Sequence, residues 1–145
     1  MIKKYTPTDI DICVPVFIDV FKNEPWNYDW ITNEKIYKYF NDLQNTPGFL
    51  GLLHYDIGEL TGFCFGLIYD YFANNTYDIK EILVKRKYQR KGIGTAMLAE
   101  VENYLKTYDM KIITLTTQRK IPAFEFYKKN AYSVSDGSVY MYKII

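Results

Sequence analysis

The chain has 145 residues, 48% of them hydrophobic and 24% charged, and its formal net charge is +1. This length fits one compact domain over residues 1–145, and the composition is typical of a globular rather than a disordered chain. The near-neutral charge argues against nucleic acid as a partner, because a DNA backbone requires many cationic contacts. The sequence shows neither a signal peptide nor a long apolar span, so we expect no membrane association and a cytoplasmic location.

The predicted elements begin with a short strand over residues 2–5. Apolar residues at helical spacing predict a first helix over residues 10–21, with Thr8 or Asp9 as its cap. Pro15 falls inside this helix, where a proline can kink or split it.

A second helix is predicted to start after Thr32 and to end at the turn formed by residues 45–48. Three strands follow, the first two joined by a turn that contains Gly58 and the third preceded by a polar loop at residues 73–76. Their predicted ranges are residues 49–55, 60–71 and 77–84.

The clearest helical pattern begins near Gly92 and presents one apolar face. After it we expect a strand over residues 111–117, a short helix over residues 122–129, and one or two closing strands within residues 132–145. This order predicts an α+β fold with one sheet flanked by helices.

A basic, glycine-containing turn joins the strand over residues 77–84 to the helix that begins near Gly92. The first N–H groups of a helix lack intrahelical partners and lie at the positive end of its dipole, so they bind anions such as a pyrophosphate. Gly92 and Gly94 allow close approach, and Arg90 and Lys91 add positive charge. The turn therefore predicts a site for a small phosphorylated ligand.

Two familiar phosphate motifs do not fit this turn. A dinucleotide fingerprint needs a third glycine or alanine where Met97 stands. A P-loop needs lysine followed by serine or threonine after its last glycine, but Gly94 is followed by Thr95 and Ala96.

Residues 89–96 (QRKGIGTA), which follow residues 81–84 (EILV), closely resemble the acetyl-CoA motif of the GNAT acetyltransferases. Residues 122–132 (PAFEFYKKNAY) resemble the family helix that carries a tyrosine beside the thioester, and Tyr127 occupies that tyrosine position. The resemblance implies the GNAT fold, a central, mostly antiparallel mixed sheet flanked by helices. It also implies acetyl-CoA as the acetyl donor, with no metal.

The resemblance further implies which residues bind acetyl-CoA. The main chain of the preceding strand would bond the pantetheine arm, and the amides of the glycine turn would hold the pyrophosphate. The residues concerned are Ile82, Leu83, Val84, Gln89, Arg90, Lys91, Gly92, Ile93, Gly94 and Thr95.

The chain departs from the family pattern at two places. Lys120 stands where an asparagine is common, which could alter a hydrogen bond to the cofactor. Ala131 and Tyr132 stand where a Gly-Phe pair is common, which suggests that the turn after the short helix does not require positive φ.

Acetyl transfer to an amine requires a base, because deprotonating an amine of pKa about 10.4 near pH 7.4 costs roughly 4 kcal/mol. Three acids qualify by position: Glu81 on the cofactor strand is preferred, Asp78 lies further along that strand, and Glu24 lies in the loop beside Trp26. A tyrosine hydroxyl can protonate the leaving thiolate, and the motif assigns this role to Tyr127.

The acceptor pocket is predicted at two places: the loop between the first two helices, which contains aromatic and acidic residues, and the end of the strand over residues 60–71. Its candidate residues are Glu24, Trp26, Tyr28 and Tyr69. His54 is interpreted as a structural residue, and Cys13 and Cys64 as buried, reduced thiols.

The leading hypothesis is therefore an N-acetyltransferase acting on a primary amine. The amine is expected on a small cationic molecule, such as an aminoglycoside, a polyamine or an amino-acid derivative, or on a protein. The alternatives are a catalytically silent acetyl-CoA-binding regulatory module and a non-enzymatic anion-binding domain. The aromatic segment at residues 139–145 is a candidate edge strand for a homodimer.

Overall fold

The computed structural model describes residues 1–71 and 74–145 of the chain. Within them it contains five strands and four α-helices, and the α+β class predicted from the sequence is confirmed. The strands are β1 (Ile2–Lys4), β2 (Phe49–Asp56), β3 (Glu59–Tyr71), β4 (Asn74–Val84) and β5 (Ile112–Leu115). The helices are α1 (Ile10–Phe21), α2 (Asn33–Gln44), α3 (Ile93–Lys106) and α4 (Pro122–Lys129).

The strands form one sheet in the order β1-β2-β3-β4-β5. The first four are antiparallel neighbours, whereas β5 pairs with β4 in parallel through the α3 crossover. One apolar cluster joins α1 and α2 to one sheet face, and a second joins α3 to the other. The central sheet is thus mostly antiparallel and flanked by helices, as expected.

The α1 helix is continuous across Pro15, so the proline does not split it. Pro15 faces solvent, and the carbonyl of exposed Asp11, which a proline cannot bond, lies on the same open side. The helix follows a short 3₁₀ turn (Pro7–Asp9), where the Thr6 N–H donates to Asp9 Oδ2 at 2.8 Å.

The α2 helix starts as predicted. Thr32 is its N-cap, and its hydroxyl accepts a hydrogen bond from the Lys35 N–H at 3.3 Å. Phe40 on α2 packs against the sheet and α1, and Tyr39 beside it contacts Phe17 of α1.

The strand β4 begins at Asn74, three residues earlier than predicted. Asn75 pairs with Asp70 and Thr76 pairs with Tyr69, so ladder pairing outweighs the weak strand propensity of asparagine. The predicted loop at residues 73–76 is therefore wrong from residue 74 onward, and Ala73 lies outside the described residues.

The closing strands predicted within residues 132–145 are not formed in the structure, and this prediction is wrong. Each apolar side chain from Val139 to Ile145 is at least 79% exposed. The segment has strand-forming residues, but strand formation also requires a partner strand, and none of the described strands pairs with it. No described helix is long and apolar enough to cross a bilayer.

Candidate functional site

The sheet opens between β4 and β5. These strands pair only over residues 76–79 of β4, and beyond Ile79 the rest of β4 has no described strand on that side. The split begins at Lys80, an extra residue in β4, because Phe65 pairs with Glu81 while Gly66 pairs with Ile79. A β-bulge therefore marks the start of the open edge.

The open edge exposes main-chain polar groups. The Lys85 N–H donates to the Thr61 carbonyl of β3 at 2.8 Å, and no register shift separates Lys85 from Ile82. Alternation along an antiparallel ladder then turns the N–H and C=O groups of Ile82 and Val84 outward. The main-chain groups of Leu83 point inward and pair with β3. Its side chain is buried in the core.

The turn after β4 presents the positive end of α3. Gly92 is the N-cap with φ 79°, and the first bond of the helix runs from the Ala96 N–H to the Gly92 carbonyl at 3.0 Å. The N–H groups of Ile93, Gly94 and Thr95 therefore have no acceptor within the helix. Such a helix start suits an anion.

The cations of this turn divide into paired and free ones. Lys87 donates to Glu59 Oε1 at 2.5 Å, and Arg86 lies 3.8 Å from Asp19 Oδ1. Arg90 and Lys91 form no ion pair with any described residue. Their charges remain available to an anion at the α3 start.

Gln89 has a structural contact in addition to its place in the turn. Its side-chain Nε2 donates to the Val84 carbonyl at 2.9 Å. This bond ties the turn to the end of β4.

A groove of about 940 Å³ runs along the open edge and the turn, and we call it the open groove. It is bounded by β4, the α3 start, α4 and the loop after α1. Its lining includes Glu24, Trp26, Ile82, Leu83, Val84, Gln89, Arg90, Gly92, Gly94, Thr95, Phe126 and Tyr127. Eight of the ten predicted cofactor residues therefore line one cavity, whereas Lys91 and Ile93 do not. Glu24 and Trp26, predicted for the acceptor, line it as well.

Tyr127 on α4 lines the open groove and is partly buried. Burial raises the pKa of its hydroxyl well above the usual value, and the nearby Cys64 and Glu81 raise it further. The hydroxyl is therefore protonated at neutral pH and can donate a hydrogen bond or a proton.

The end of α4 positions Tyr127. The Tyr132 N–H donates to the Tyr127 carbonyl at 3.0 Å and the Ala131 N–H to the Lys128 carbonyl at 3.1 Å, which together form a Schellman motif. Ala131 has φ 66°, so the expectation that this turn does not require positive φ is wrong. The 6→1 bond demands the left-handed conformation even though the residue is alanine.

Glu81 lies on β4 directly after the bulge. Before the bulge, Tyr77 and Ile79 face the apolar cluster around α3. After the bulge, Leu83 faces the cluster around α1 and α2. The extra residue therefore moves the odd-numbered side chains of β4 from one face of the sheet to the other. Glu81 accordingly faces α1 and α2. The bulge thus directs the carboxylate away from α3.

The Glu81 carboxylate accepts a hydrogen bond from the Tyr39 hydroxyl at 2.8 Å. Burial raises the pKa of Glu81 to about 7, and the Tyr39 hydrogen bond partly opposes this rise. The carboxylate is therefore poised to gain or lose a proton near neutral pH. Tyr39 was missed as a site residue because its helical spacing identifies it only as part of the α2 core face.

The other two acids considered as bases have different surroundings. Asp78 pairs with Lys80 at 2.6 Å and accepts a hydrogen bond from Thr114 at 2.6 Å. Glu24 is exposed and lines the open groove. Asp78 lines neither of the two cavities described for this structure.

A second cavity of about 330 Å³ lies beside Glu81, between α1, α2 and the loop that joins them, and we call it the aromatic pocket. Of the predicted acceptor residues, Tyr28 lines this pocket, whereas Tyr69 lines neither cavity. The full lining is Phe17, Phe21, Tyr28, Trp30, Lys35, Ile36, Tyr39 and Glu81. Phe21 also lines the open groove, so the two cavities adjoin.

His54 and the cysteines lie outside both cavities. His54 Nδ1 is 2.5 Å from the Thr61 hydroxyl, and burial lowers its pKa, which favours the neutral, structural form. Cys13 and Cys64 are buried and free, and burial raises each thiol pKa to about 12. Among the described residues no group of three His, Cys, Asp or Glu side chains could hold a metal ion.

Solved structures share this fold over the whole chain. A possible acetyltransferase from Clostridium difficile 630 is 17% identical, with a TM-score of 0.81, covering 100% of this chain and 97% of that one. A putative acetyl transferase from Pyrococcus furiosus is 19% identical, with a TM-score of 0.78, covering 100% and 99%. A comparison with curated proteins gives no match.

An aminoglycoside acetyltransferase from an uncultured soil metagenomic sample, solved with sisomicin, is 14% identical, with a TM-score of 0.74 and coverage of 100% and 95%. These identities are low and show the common fold. The family model described as "Acetyltransferase (GNAT) family" matches residues 17–132, which include the bulge, the glycine turn and Tyr127. The chain therefore belongs to the GNAT family of acetyltransferases, whose members use acetyl-CoA.

Proposed function

We propose that residues 1–145 form one domain that acts as an acetyl-CoA-dependent N-acetyltransferase on a primary amine. The observation that carries this proposal is the position of Glu81 between the two cavities. Glu81 lines the aromatic pocket, and the next residue, Ile82, lines the open groove. A base at this junction can serve an amine in the pocket and a thioester in the groove.

The open groove suits acetyl-CoA. The free amides at the α3 start, with Arg90 and Lys91, match the charge of a pyrophosphate. The outward main-chain groups of Ile82 and the outward N–H of Val84 match the amides of the pantetheine arm, whereas the Val84 carbonyl already accepts a hydrogen bond from Gln89. When bound there, acetyl-CoA supplies an acetyl group activated as a thioester.

Glu81 is the proposed general base. Its carboxylate accepts a proton from the acceptor ammonium, and the aromatic walls of the pocket favour the neutral amine by excluding water. The neutral nitrogen then forms the new N–C bond to the acetyl carbon as the C–S bond breaks. A pKa near 7 lets Glu81 accept protons at physiological pH.

Tyr127 is the proposed general acid. It donates its hydroxyl proton to the sulfur of the departing thiolate. The newly acylated nitrogen loses its second proton to solvent, solvent returns a proton to Tyr127, and Glu81 releases the proton it took from the ammonium. The net products are the amide, CoA thiol and one proton, and the proposed chemistry uses no metal ion.

The acceptor is a small cationic amine in this proposal, with a protein amine as the other option. Structural similarity to aminoglycoside acetyltransferases supports a small-molecule amine, because two solved structures with this fold carry that description. We also propose a cytoplasmic location and no nucleic-acid partner, given the near-neutral charge.

We further propose a homodimer formed through the C-terminal segment. Residues 139–145 expose their apolar side chains, and β5 has no described strand on its outer edge. Pairing between copies would bury both features. Light scattering should report a dimer for the full chain and a monomer for the Tyr140→Lys, Tyr142→Lys double variant; a monomeric full chain would refute the dimer.

The proposed activity is tested by thiol release from acetyl-CoA with panels of primary amines, alongside a thermal-shift titration with acetyl-CoA. We expect stabilisation by acetyl-CoA and release of CoA that depends on the amine. Stabilisation without release would favour a silent acetyl-CoA-binding module. Absence of both would contradict the proposed function.

A further inference from the structure

The walls of the aromatic pocket form a continuous series of rings. Trp30 stacks on Tyr28 with centroids 5.6 Å apart, and Tyr28 is nearly parallel to Phe21 at 6.0 Å with an interplanar angle of 3°. Phe21 contacts Phe17 at 4.4 Å, and Phe17 meets Tyr39 edge-on at 6.4 Å. The series ends at the Tyr39 hydroxyl, which holds Glu81. The pocket therefore offers flat apolar surface leading to one carboxylate.

The charges in the pocket suit a ligand with one positive charge. Glu81 is the sole acidic side chain among the described residues that line it. Lys35 lies at the other end, with its Nζ 5.9 Å from the Trp30 ring centroid. Glu81 can neutralise one ammonium group, whereas Lys35 repels a second cation.

The other acid near the pocket does not change this balance. Glu24 lines the open groove rather than the pocket and is exposed to solvent. A polyamine or an aminoglycoside carries several ammonium groups and many polar atoms, which need several carboxylates and hydrogen-bonding partners. The pocket offers one carboxylate and only the few hydrogen-bonding groups of its tyrosines, Trp30 and Lys35, too few for such a ligand.

The size of the pocket agrees with its chemistry. At about 330 Å³ it lies at the lower end of the range for small-molecule sites, roughly 300–1,000 Å³. A single aromatic ring on a short alkylamine could stack on Tyr28 and Phe21 while its nitrogen reaches Glu81. Each such ring pair should raise affinity by roughly two- to twelvefold.

We propose that the acceptor is a primary amine with one positive charge and a flat apolar body, of the 2-arylethylamine type, and not a polyamine or an aminoglycoside. This inference rests on the proposed function, since it assigns the aromatic pocket to the acceptor. Trp30 and Lys35 are then specificity-determining residues.

The first test compares 2-phenylethylamine, spermidine and kanamycin as acceptors at equal concentration. We expect kcat/KM for 2-phenylethylamine to exceed the other two by at least about tenfold. Trp30→Ala should lower it by roughly three- to tenfold while leaving the spermidine value nearly unchanged. A higher kcat/KM for spermidine or kanamycin than for 2-phenylethylamine would overturn the inferred acceptor class and leave acetyl transfer intact.

The second test reverses one charge. Lys35→Glu should raise the spermidine to 2-phenylethylamine ratio of kcat/KM by about tenfold, because the pocket then carries an acid at each end. Lys38→Glu is the matched control: it lies on the same helix, pairs with Asp42 at 2.6 Å and lines neither cavity. Equal ratios for both variants would overturn the role of Lys35.

A binding measurement separates this inference from the proposed function. Calorimetric titration of each amine into protein saturated with CoA reports acceptor affinity without any turnover. Preferential binding of 2-phenylethylamine with no acetyl transfer would support the pocket assignment and contradict the proposed function. Binding of spermidine or kanamycin in preference to 2-phenylethylamine would overturn the pocket assignment whether or not transfer occurs.

Discussion

The hydroxyl of Tyr39 on α2 donates a 2.8 Å hydrogen bond to the Glu81 carboxylate on β4. This bond joins the helix layer that builds the aromatic pocket to the strand that borders the open groove. It stabilises the ionised form of Glu81 against the effect of burial, so it helps to set the pH range in which the proposed base works.

Tyr39→Phe should therefore raise the pKa of Glu81. We expect the rising limb of kcat/KM against pH to move to higher pH by on the order of one unit. Tyr37→Phe is the control, because Tyr37 on the same helix donates to Asp11 at 2.7 Å on the exposed side. A limb that does not move in Tyr39→Phe would show that the bond does not tune the base.

Tyr127→Phe should lower kcat on the order of a hundredfold with little change in acetyl-CoA affinity, because it removes the proposed proton donor and keeps the ring. Steady-state kinetics and a thermal-shift titration measure the two effects. Tyr132→Phe is the control: the Tyr132 ring lies 5.6 Å from that of Tyr127, and its buried hydroxyl has no hydrogen-bond partner among the described residues. Unchanged kcat in Tyr127→Phe would remove Tyr127 from the mechanism.

Gly92→Val should weaken acetyl-CoA binding at least about tenfold without unfolding the protein. Gly92 has φ 79°, which costs a residue with a side chain roughly 1–2 kcal/mol, and the strain falls on the turn that presents the α3 amides. Gly58→Val is a matched control, since Gly58 has φ 76°, equally open surroundings and a place in the β2–β3 turn. Calorimetric affinities that are equal in the two variants would contradict a role for the Gly92 turn.

Ala131→Gly should stabilise the protein by about 1 kcal/mol, because alanine is strained at φ 66° and glycine is not. For a chain of this length we expect a rise in Tm of roughly 2–4 °C. Ala99→Gly, in the exposed middle of α3, should instead lower Tm, because glycine weakens a helix interior. A fall in Tm for Ala131→Gly would show that the positive φ is not a source of strain.

Local signals in the sequence were sufficient for the helices, except that Pro15 does not split α1. Thr32 caps α2 as predicted, and α4 has the predicted bounds because Pro122 suits a first helical turn. The glycine turn was also placed correctly at the α3 start, since its features are consecutive in the chain.

Features that depend on tertiary pairing could not be predicted in this way. The bulge at Lys80 arises from the register between β3 and β4, and it decides which face Glu81 occupies. The contact of Tyr39 with Glu81 spans 42 positions and leaves no local pattern. The C-terminal segment has strand propensity, but without a partner strand that propensity produces no strand.

The pH dependence of kcat/KM in wild type and in Glu81→Gln tests the account most directly. A base must be deprotonated to act, and burial raises the pKa of Glu81 to about 7. Wild-type kcat/KM should therefore rise with pH, with an apparent pKa near 7, and level off above it. Glu81→Gln should lose that limb and on the order of a hundredfold in rate, whereas Asp78→Asn and Glu24→Gln should keep both. Retention of the limb near pH 7 in Glu81→Gln would contradict the assignment of Glu81 as the base.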